Sequence, residues 1–146
     1  MLVFKFGGAS VKDADAVRNI VGILKNYKGN NIVVVISAMG KTTNHLERVV
    51  EKYFNRDKAG LAAEMETLIK YHFDIINGLF SDPKHQVYND INEMFENLEW
   101  QTSKEPSLNF DHDYDQIICY GELLSTRIIA HYLQYQGLKA EWIDVR

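Results

Sequence analysis

One cysteine, two prolines and no long apolar run mark what this 146-residue sequence leaves out. The lone Cys119 excludes an internal disulfide and fits a reducing compartment. No apolar stretch approaches the ~18–20 residues that a membrane span requires, and the first residues lack the basic-then-apolar signature of a secretory signal. A cytoplasmic location with no membrane partner is therefore expected. A net charge of −4 provides no basic footprint for nucleic acid. Small anionic ligands stay open, because local donors bind them whatever the overall sign. What is present, 46% apolar and 25% charged residues, is the composition of one soluble globular domain.

The first ten residues carry the strongest local signal. Leu2 to Phe6 read as a short apolar strand holding one lysine, Lys5, and Gly7-Gly8 break it before a helical pattern starts. A strand running into paired glycines and then a helix is a place where an anion can rest against backbone N–H groups. Lys5 adds a mobile point charge for the same anion. Phosphate binding and phosphoryl transfer follow as the first hypothesis, weighed against an ordinary Gly-Gly turn with a solvated lysine.

Val17, Ile20, Val21, Leu24 and Tyr27 recur at helical spacing, which predicts an amphipathic helix from about Asp13 to Lys28. Ile32 to Ile36 are five consecutive β-branched residues, the pattern of a strand buried on both faces. Strand, helix and strand in this order make a parallel βαβ unit, hence an α/β fold. The second strand opens into Ser37–Asn44, with a helix expected from Asn44 or His45 and capped by Thr43 or Asn44. Both strand ends then face one edge, where ligands of open α/β sheets bind. Gly40-Lys41-Thr42 is not a P-loop, since the glycine required five residues earlier is Val35.

Residues 45–100 read as three helices without an intervening strand. One stripe is Leu61, Met65, Leu68, His72, Ile75, Ile76 and Leu79, and another is Val87, Ile91, Met94, Phe95 and Leu98. His72 and His85 have no partner at metal-ligand spacing, so structural roles are expected for both. Asp111, Asp113 and Asp115 imitate a calcium loop, but its obligatory glycine is replaced by Gln116; acidic residues at a helix start explain them better. One long helix to about Tyr135 is expected from there, burying Ile117, Leu124, Ile128, Tyr132 and Tyr135. Cys119 reads as a small apolar residue rather than a nucleophile. Ala140–Arg146 reads as a third strand, and the chain as a piece of a longer protein.

Three segments together resemble the aspartate kinases. Lys5-Phe6-Gly7-Gly8-Ala9-Ser10 is similar to that family's opening Lys-Phe-Gly-Gly-Thr-Ser, with Ala9 in place of the threonine. Val35–Asn44 is similar to its second loop, a Val-Ser-Ala segment ending in Thr-Asn. Gly121-Glu122-Leu123-Leu124-Ser125, followed by Trp142–Arg146, resembles its Gly-Glu helix and Asp-X-Arg strand end. The resemblance implies an α/β, three-layer αβα sandwich with a mainly parallel sheet. Residues 1–146 would be the N-terminal portion of an amino-acid-kinase domain, with the helical excursion about 45–100 and the remaining nucleotide-binding half and regulatory modules absent.

The resemblance also implies transfer of the terminal phosphoryl group of ATP, with Mg2+, to the β-carboxylate of L-aspartate, at the start of lysine, threonine and methionine synthesis. Lys5 would stabilise the transferring group, and Gly7 and Gly8 would meet the phosphates. Ser10 and Ser37 are further candidates there. Thr43 would hydrogen-bond the substrate and Glu122 would hold its ammonium group. No side chain is assigned to a metal, a homo-oligomer is expected, and this stretch alone should have little or no kinase activity. Two alternatives stay open: a non-catalytic N-terminal module for subunit contact, and a sister kinase acting on another carboxylate.

Overall fold

Two parallel strands carry the fold. β1 (Leu2–Phe6) and β2 (Ile32–Ile36) pair in register from Leu2 opposite Ile32 to Phe6 opposite Ile36. Helix α1 (Ala14–Lys25) makes the crossover that parallel pairing demands. It is shorter than the sequence pattern suggested. Asp13 is its cap, accepting from Ala16 N at 2.8 Å, and Gly29 at φ 94° turns the chain back toward β2. Tyr27 consequently lies beyond the helix and packs edge-on to Phe4 at 5.0 Å. The computed structural model describes all residues, 1–146.

Strand alternation divides the sheet into two unlike faces. Phe4, Phe6, Val34 and Ile36 turn toward the helices and join the core. Val3, Val33 and Val35 occupy the other face, exposed by 64%, 45% and 46%. The expectation that β2 is buried on both faces is not met, because the helices cover only one side. Sheet and one helical layer are present, which is the α/β class in partial form.

Three helices follow without a strand: α2 (Thr42–Phe54), α3 (Lys58–Leu79) and α4 (Gln86–Ser103). The two predicted stripes are their buried faces, with Met65, Leu68, His72, Ile75, Ile76 and Leu79 on α3 and Val87, Ile91, Phe95 and Leu98 on α4. Asp57 caps α3 through Gly60 N at 2.9 Å, and His85 Nδ1 caps α4 by accepting from Val87 N at 3.1 Å. α2 starts at Thr42, earlier than the sequence suggested, and no side chain caps it.

The single helix expected over 111–135 is two, α5 (Phe110–Ile118) and α6 (Tyr120–Tyr135), meeting at Cys119. Asn109 caps α5, and Asp111 and Asp113 fill its first turn, where the helix dipole favours carboxylates. Of the predicted buried stripe, Tyr135 is the exception, at 41% exposure. Asp90 of α4 ties that helix to α6, accepting from Arg127 and from His131 Nε2, the latter at 2.8 Å. Residues 140–146 form no strand. They run beside α6, held by Trp142 Nε1 donating to Thr126 Oγ1 at 2.9 Å and by Arg127 lying 4.8 Å from the Trp142 ring. A strand needs a neighbour with free backbone groups, and the two-stranded sheet pairs nothing with this segment. No helix is long and apolar enough to cross a membrane.

Candidate functional site

The two strands end at one edge, and the loops that leave them touch. Gly7 holds φ −79°, ψ 169°, an ordinary extended conformation, and Gly8–Val11 form a tight 3-10 turn closed by Ser10 N donating to Gly7 O at 2.9 Å. From the second loop, Ser37 N donates to Phe6 O at 3.0 Å and Gly40 N to Gly8 O at 3.1 Å. This approach requires a glycine at 8: a Cβ there would lie 2.8 Å from Ala38 O and 3.2 Å from Gly40 O. Gly40 has φ +52°, a left-handed conformation that L side chains rarely adopt.

Helix α6 closes on the same loops. Gly121 faces Ala38 so closely that an added Cβ would come within 2.9 Å of the Ala38 Cβ. The next residue, Glu122, accepts from Ala38 N through Oε1 at 3.4 Å, across 84 residues of sequence. Lys5 is one position before the end of β1, opposite Val35, on the open face of the sheet. It is exposed and takes part in none of the chain's ion pairs. Gly7 and Ser10 are exposed, while Gly8 and Ser37 are half-buried between the loops. Thr43 is half-buried in the first turn of α2. Lys5, Gly7, Gly8, Ser10, Ser37, Thr43 and Glu122 thus belong to three chain segments that meet at the carboxyl edge of the strands.

Beneath the second loop the buried Thr42 meets the buried His72. His72 Nδ1–H donates to Leu68 O at 2.8 Å, which fixes the tautomer and leaves Nε2 to accept from the Thr42 hydroxyl at 3.4 Å. Burial pushes the His72 pKa down to about 4, from an ordinary 6.5, so the ring is neutral near pH 7. His72 thus sits in the core, and His85 caps α4.

A cleft of about 440 Å³ flanks this edge, lined by Ala9 and Lys12 from the first loop, Gly40 and Lys41 from the second, Thr42 and His45 from α2, and Tyr71 from α3. None of the residues nominated from sequence lines it; it lies beside their edge. Tyr71 donates its hydroxyl to Lys12 O at 2.6 Å. His45 is held through Nδ1 against Glu64 at 2.8 Å, and Arg48 Nε also donates to Glu64 at 2.8 Å. Burial raises the Glu64 pKa, but the His45 and Arg48 hydrogen bonds outweigh it and hold the carboxylate below its usual range. Sequence reading missed Tyr71, His45 and Glu64. They recur at no motif spacing, and only the packing of α3 on α2 brings them to the loops. Burial raises the Cys119 thiol above its ordinary pKa, and the sulfur is a poor nucleophile there.

The edge fits a phosphate chain. Lys5 offers an unpaired ammonium, Gly7 leaves open space where a side chain would be, and the N–H of Gly8, first in its turn, has no intrahelical acceptor. No group of three or more His, Cys, Asp or Glu side chains is arranged to hold a metal ion.

A model of the amino acid kinase family matches residues 1–146. The chain is 32% identical over 142 residues to bifunctional aspartokinase/homoserine dehydrogenase 2 of Escherichia coli (strain K12), covering 97% of this chain and 17% of that protein. E. coli aspartokinase III in complex with lysine and aspartate superposes with a TM-score of 0.86 at 26% identity, over 100% of this chain and 32% of that one. The same enzyme in complex with aspartate and ADP gives 0.85 at 27%, over 100% and 31%. The chain therefore spans between about a sixth and a third of the length of these relatives. The match over the whole of 1–146, on a parallel β-α-β frame with its glycine loops at one edge, establishes that this chain belongs to the amino acid kinase family.

Proposed function

We propose that this chain forms the phosphate-loop and substrate-ammonium side of an aspartate kinase. Such an enzyme transfers the γ-phosphoryl group of ATP to the β-carboxylate of L-aspartate. The observation that carries the reading is the meeting of three segments: the Gly7-Gly8 turn, the Ser37–Gly40 loop bonded to it, and Glu122 accepting from Ala38 N. A fold match to an enzyme crystallised with aspartate and ADP supports it.

The chemistry joins two anions. A carboxylate oxygen of aspartate forms the new P–O bond, the bond from the γ-phosphorus to the bridging oxygen of ADP breaks, and no proton need move. Charge neutralisation and alignment are the main tasks of the catalyst. Lys5 would place its ammonium against the transferring group. The amides of Gly7 and Gly8, with the hydroxyls of Ser10 and Ser37, would hold phosphate oxygens. Thr43 would hydrogen-bond aspartate, and Glu122, anchored on the rigid α6, would fix its ammonium. Mg2+ bound with ATP would offset phosphate charge, and no side chain of this chain is assigned to it. The departure at Ala9 removes one hydroxyl from the phosphate loop. A homo-oligomer remains part of this reading.

The test is trapping of acyl phosphate with hydroxylamine on the full-length protein, with aspartate, glutamate and acetylglutamate in parallel. Turnover with aspartate that falls ~10²–10³-fold in Lys5→Ala, with normal folding, supports the reading. Unchanged turnover in Lys5→Ala removes Lys5 from the mechanism, and a preference for another carboxylate reassigns the substrate.

A further inference from the structure

Helix α3 carries none of the glycine-loop or Gly-Glu motif residues, yet it grips the chain immediately after the glycine turn. The Tyr71 hydroxyl donates to Lys12 O at 2.6 Å, one residue past the 3-10 turn that begins at Gly8. The same hydroxyl is pressed against the second loop: a Cβ on Gly40 would lie 2.4 Å from it and 3.7 Å from the Lys12 Cα. Gly40 in turn donates from its N–H to Gly8 O at 3.1 Å. Tyr71, Lys12, Gly40 and Gly8 therefore form one closed seam, in which the phenol contacts both loops at once.

Two further contacts keep α3 fixed along this segment. Arg18 of α1 donates to Gly78 O of α3 while pairing with Asp15, and Gly78 approaches Ala14 so closely that a Cβ would come within 2.9 Å of the Ala14 Cβ. Helix α3 thus holds α1 near its start and the Lys12 carbonyl just before it. Burial, with the Asp13 carboxylate nearby, raises the Tyr71 pKa, so the phenol keeps its proton and remains a donor.

We propose that Tyr71 is a positioning residue that holds the Gly7-Gly8 turn and the Ser37–Gly40 loop in register from the helical excursion. The inference rests on the phosphoryl-transfer reading for its catalytic consequence, but not for its structural one. It gives the excursion a task beyond subunit contact: α3 is a brace whose phenol sets how the backbone donors of both loops face a phosphate. Losing one neutral hydrogen bond of this kind changes an equilibrium roughly three- to tenfold, and loop misplacement enters the rate through the aligned donors.

Tyr71→Phe in the full-length protein removes only the hydroxyl and keeps the ring, which packs edge-on to His72 at 5.2 Å. Two measurements are taken on it: steady-state kinetics with aspartate and ATP, and amide hydrogen exchange at Gly40. We expect kcat to fall roughly three- to tenfold. Exchange of the Gly40 N–H should accelerate by a similar factor. A double variant adds a signature that general destabilisation lacks. In Gly40→Ala the new Cβ meets the Tyr71 Oη at 2.4 Å; without that oxygen the nearest ring atom is Cζ at 3.3 Å. The kcat loss in the double variant should therefore be smaller than the product of the two single losses, with the strain of a side chain at φ +52° common to Gly40→Ala and the double variant. Unchanged Gly40 exchange in Tyr71→Phe overturns the brace, as does unchanged kcat in an otherwise active enzyme or a fully multiplicative loss in the double variant. If the wild-type protein phosphorylates no carboxylate, the functional reading fails by itself, and the exchange result still decides the brace.

Discussion

Replacing Gly8 by alanine puts one methyl group into the contact between the two loops, and the consequences can be worked out from the distances. The new Cβ would lie 2.8 Å from Ala38 O and 3.2 Å from Gly40 O, both backbone atoms that cannot swing aside. Ordinary contact begins at 3.4 Å, so the loops must part by roughly half an ångström. Overpacking of this kind costs ~1–3 kcal/mol. Gly8 has an unstrained negative φ, so alanine also recovers ~0.4–1 kcal/mol by restricting the unfolded chain. The net loss of stability is about 1–2 kcal/mol, a fall of some 2–8 °C in melting temperature at ~2–4 °C per kcal/mol. If a 1 Å misplacement costs ~10²-fold in rate, half of that costs about tenfold in kcat.

Gly7→Ala is the matched control. A Cβ at 7 meets nothing within 4 Å and its φ of −79° suits any residue, so only the unfolded-chain gain of ~0.4–1 kcal/mol remains and stability should not fall. Its methyl group would instead protrude where the phosphates are proposed to lie, and the KM for ATP should rise. Thermal denaturation and steady-state kinetics on both variants decide the matter. A Gly8→Ala protein as stable and as active as wild type would refute the loop contact on which the site is built.

Glu122→Gln keeps an acceptor for Ala38 N but removes the charge; the aspartate KM should rise ~10–100-fold, with melting temperature unchanged because Glu122 is exposed. Stability should also fall with acid through His72. Its folded pKa, near 4, lies below the unfolded 6.5, so between these values the unfolded chain binds the extra proton and stability drops as pH falls, by roughly 3 kcal/mol over the window. Urea titrations at pH 7 and pH 4.5 measure this, and His72→Gln should flatten the dependence; an equally steep fall in that variant assigns it to other groups. Lys5→Ala should lose ~10²–10³-fold in turnover in the hydroxamate assay without loss of folding.

The sequence was informative where a residue's fate depends on its neighbours along the chain. The run Ile32–Ile36 specified a strand, the α3 and α4 stripes specified buried faces, and Gly7-Gly8 marked the end of β1, because periodicity and turn chemistry are local. Failures came where a distant partner decides. Ala140–Arg146 has strand composition but no strand to pair with, so Trp142 settles on Thr126 instead. Val33 and Val35 look like core residues, yet no helix covers their face of the sheet. The junction at Cys119 keeps helical angles, φ −58° and ψ −22°, and so leaves no breaker residue to read. For the site, Lys5, the glycines and Glu122 could be nominated by resemblance. Tyr71 and the His45–Glu64 pair could not, since their partners lie 59 and 19 residues away and follow no motif.

We propose that a lysine, two glycine loops and a distant glutamate face one ligand. A crystal structure of the full-length protein with aspartate and a non-hydrolysable ATP analogue tests it most directly. We predict the Lys5 Nζ and the Gly8 amide within hydrogen-bond distance of phosphate oxygens, and the Glu122 carboxylate on the ammonium of aspartate. Aspartate bound in the cleft between Lys12, Lys41 and His45, with Glu122 turned to solvent, would contradict it.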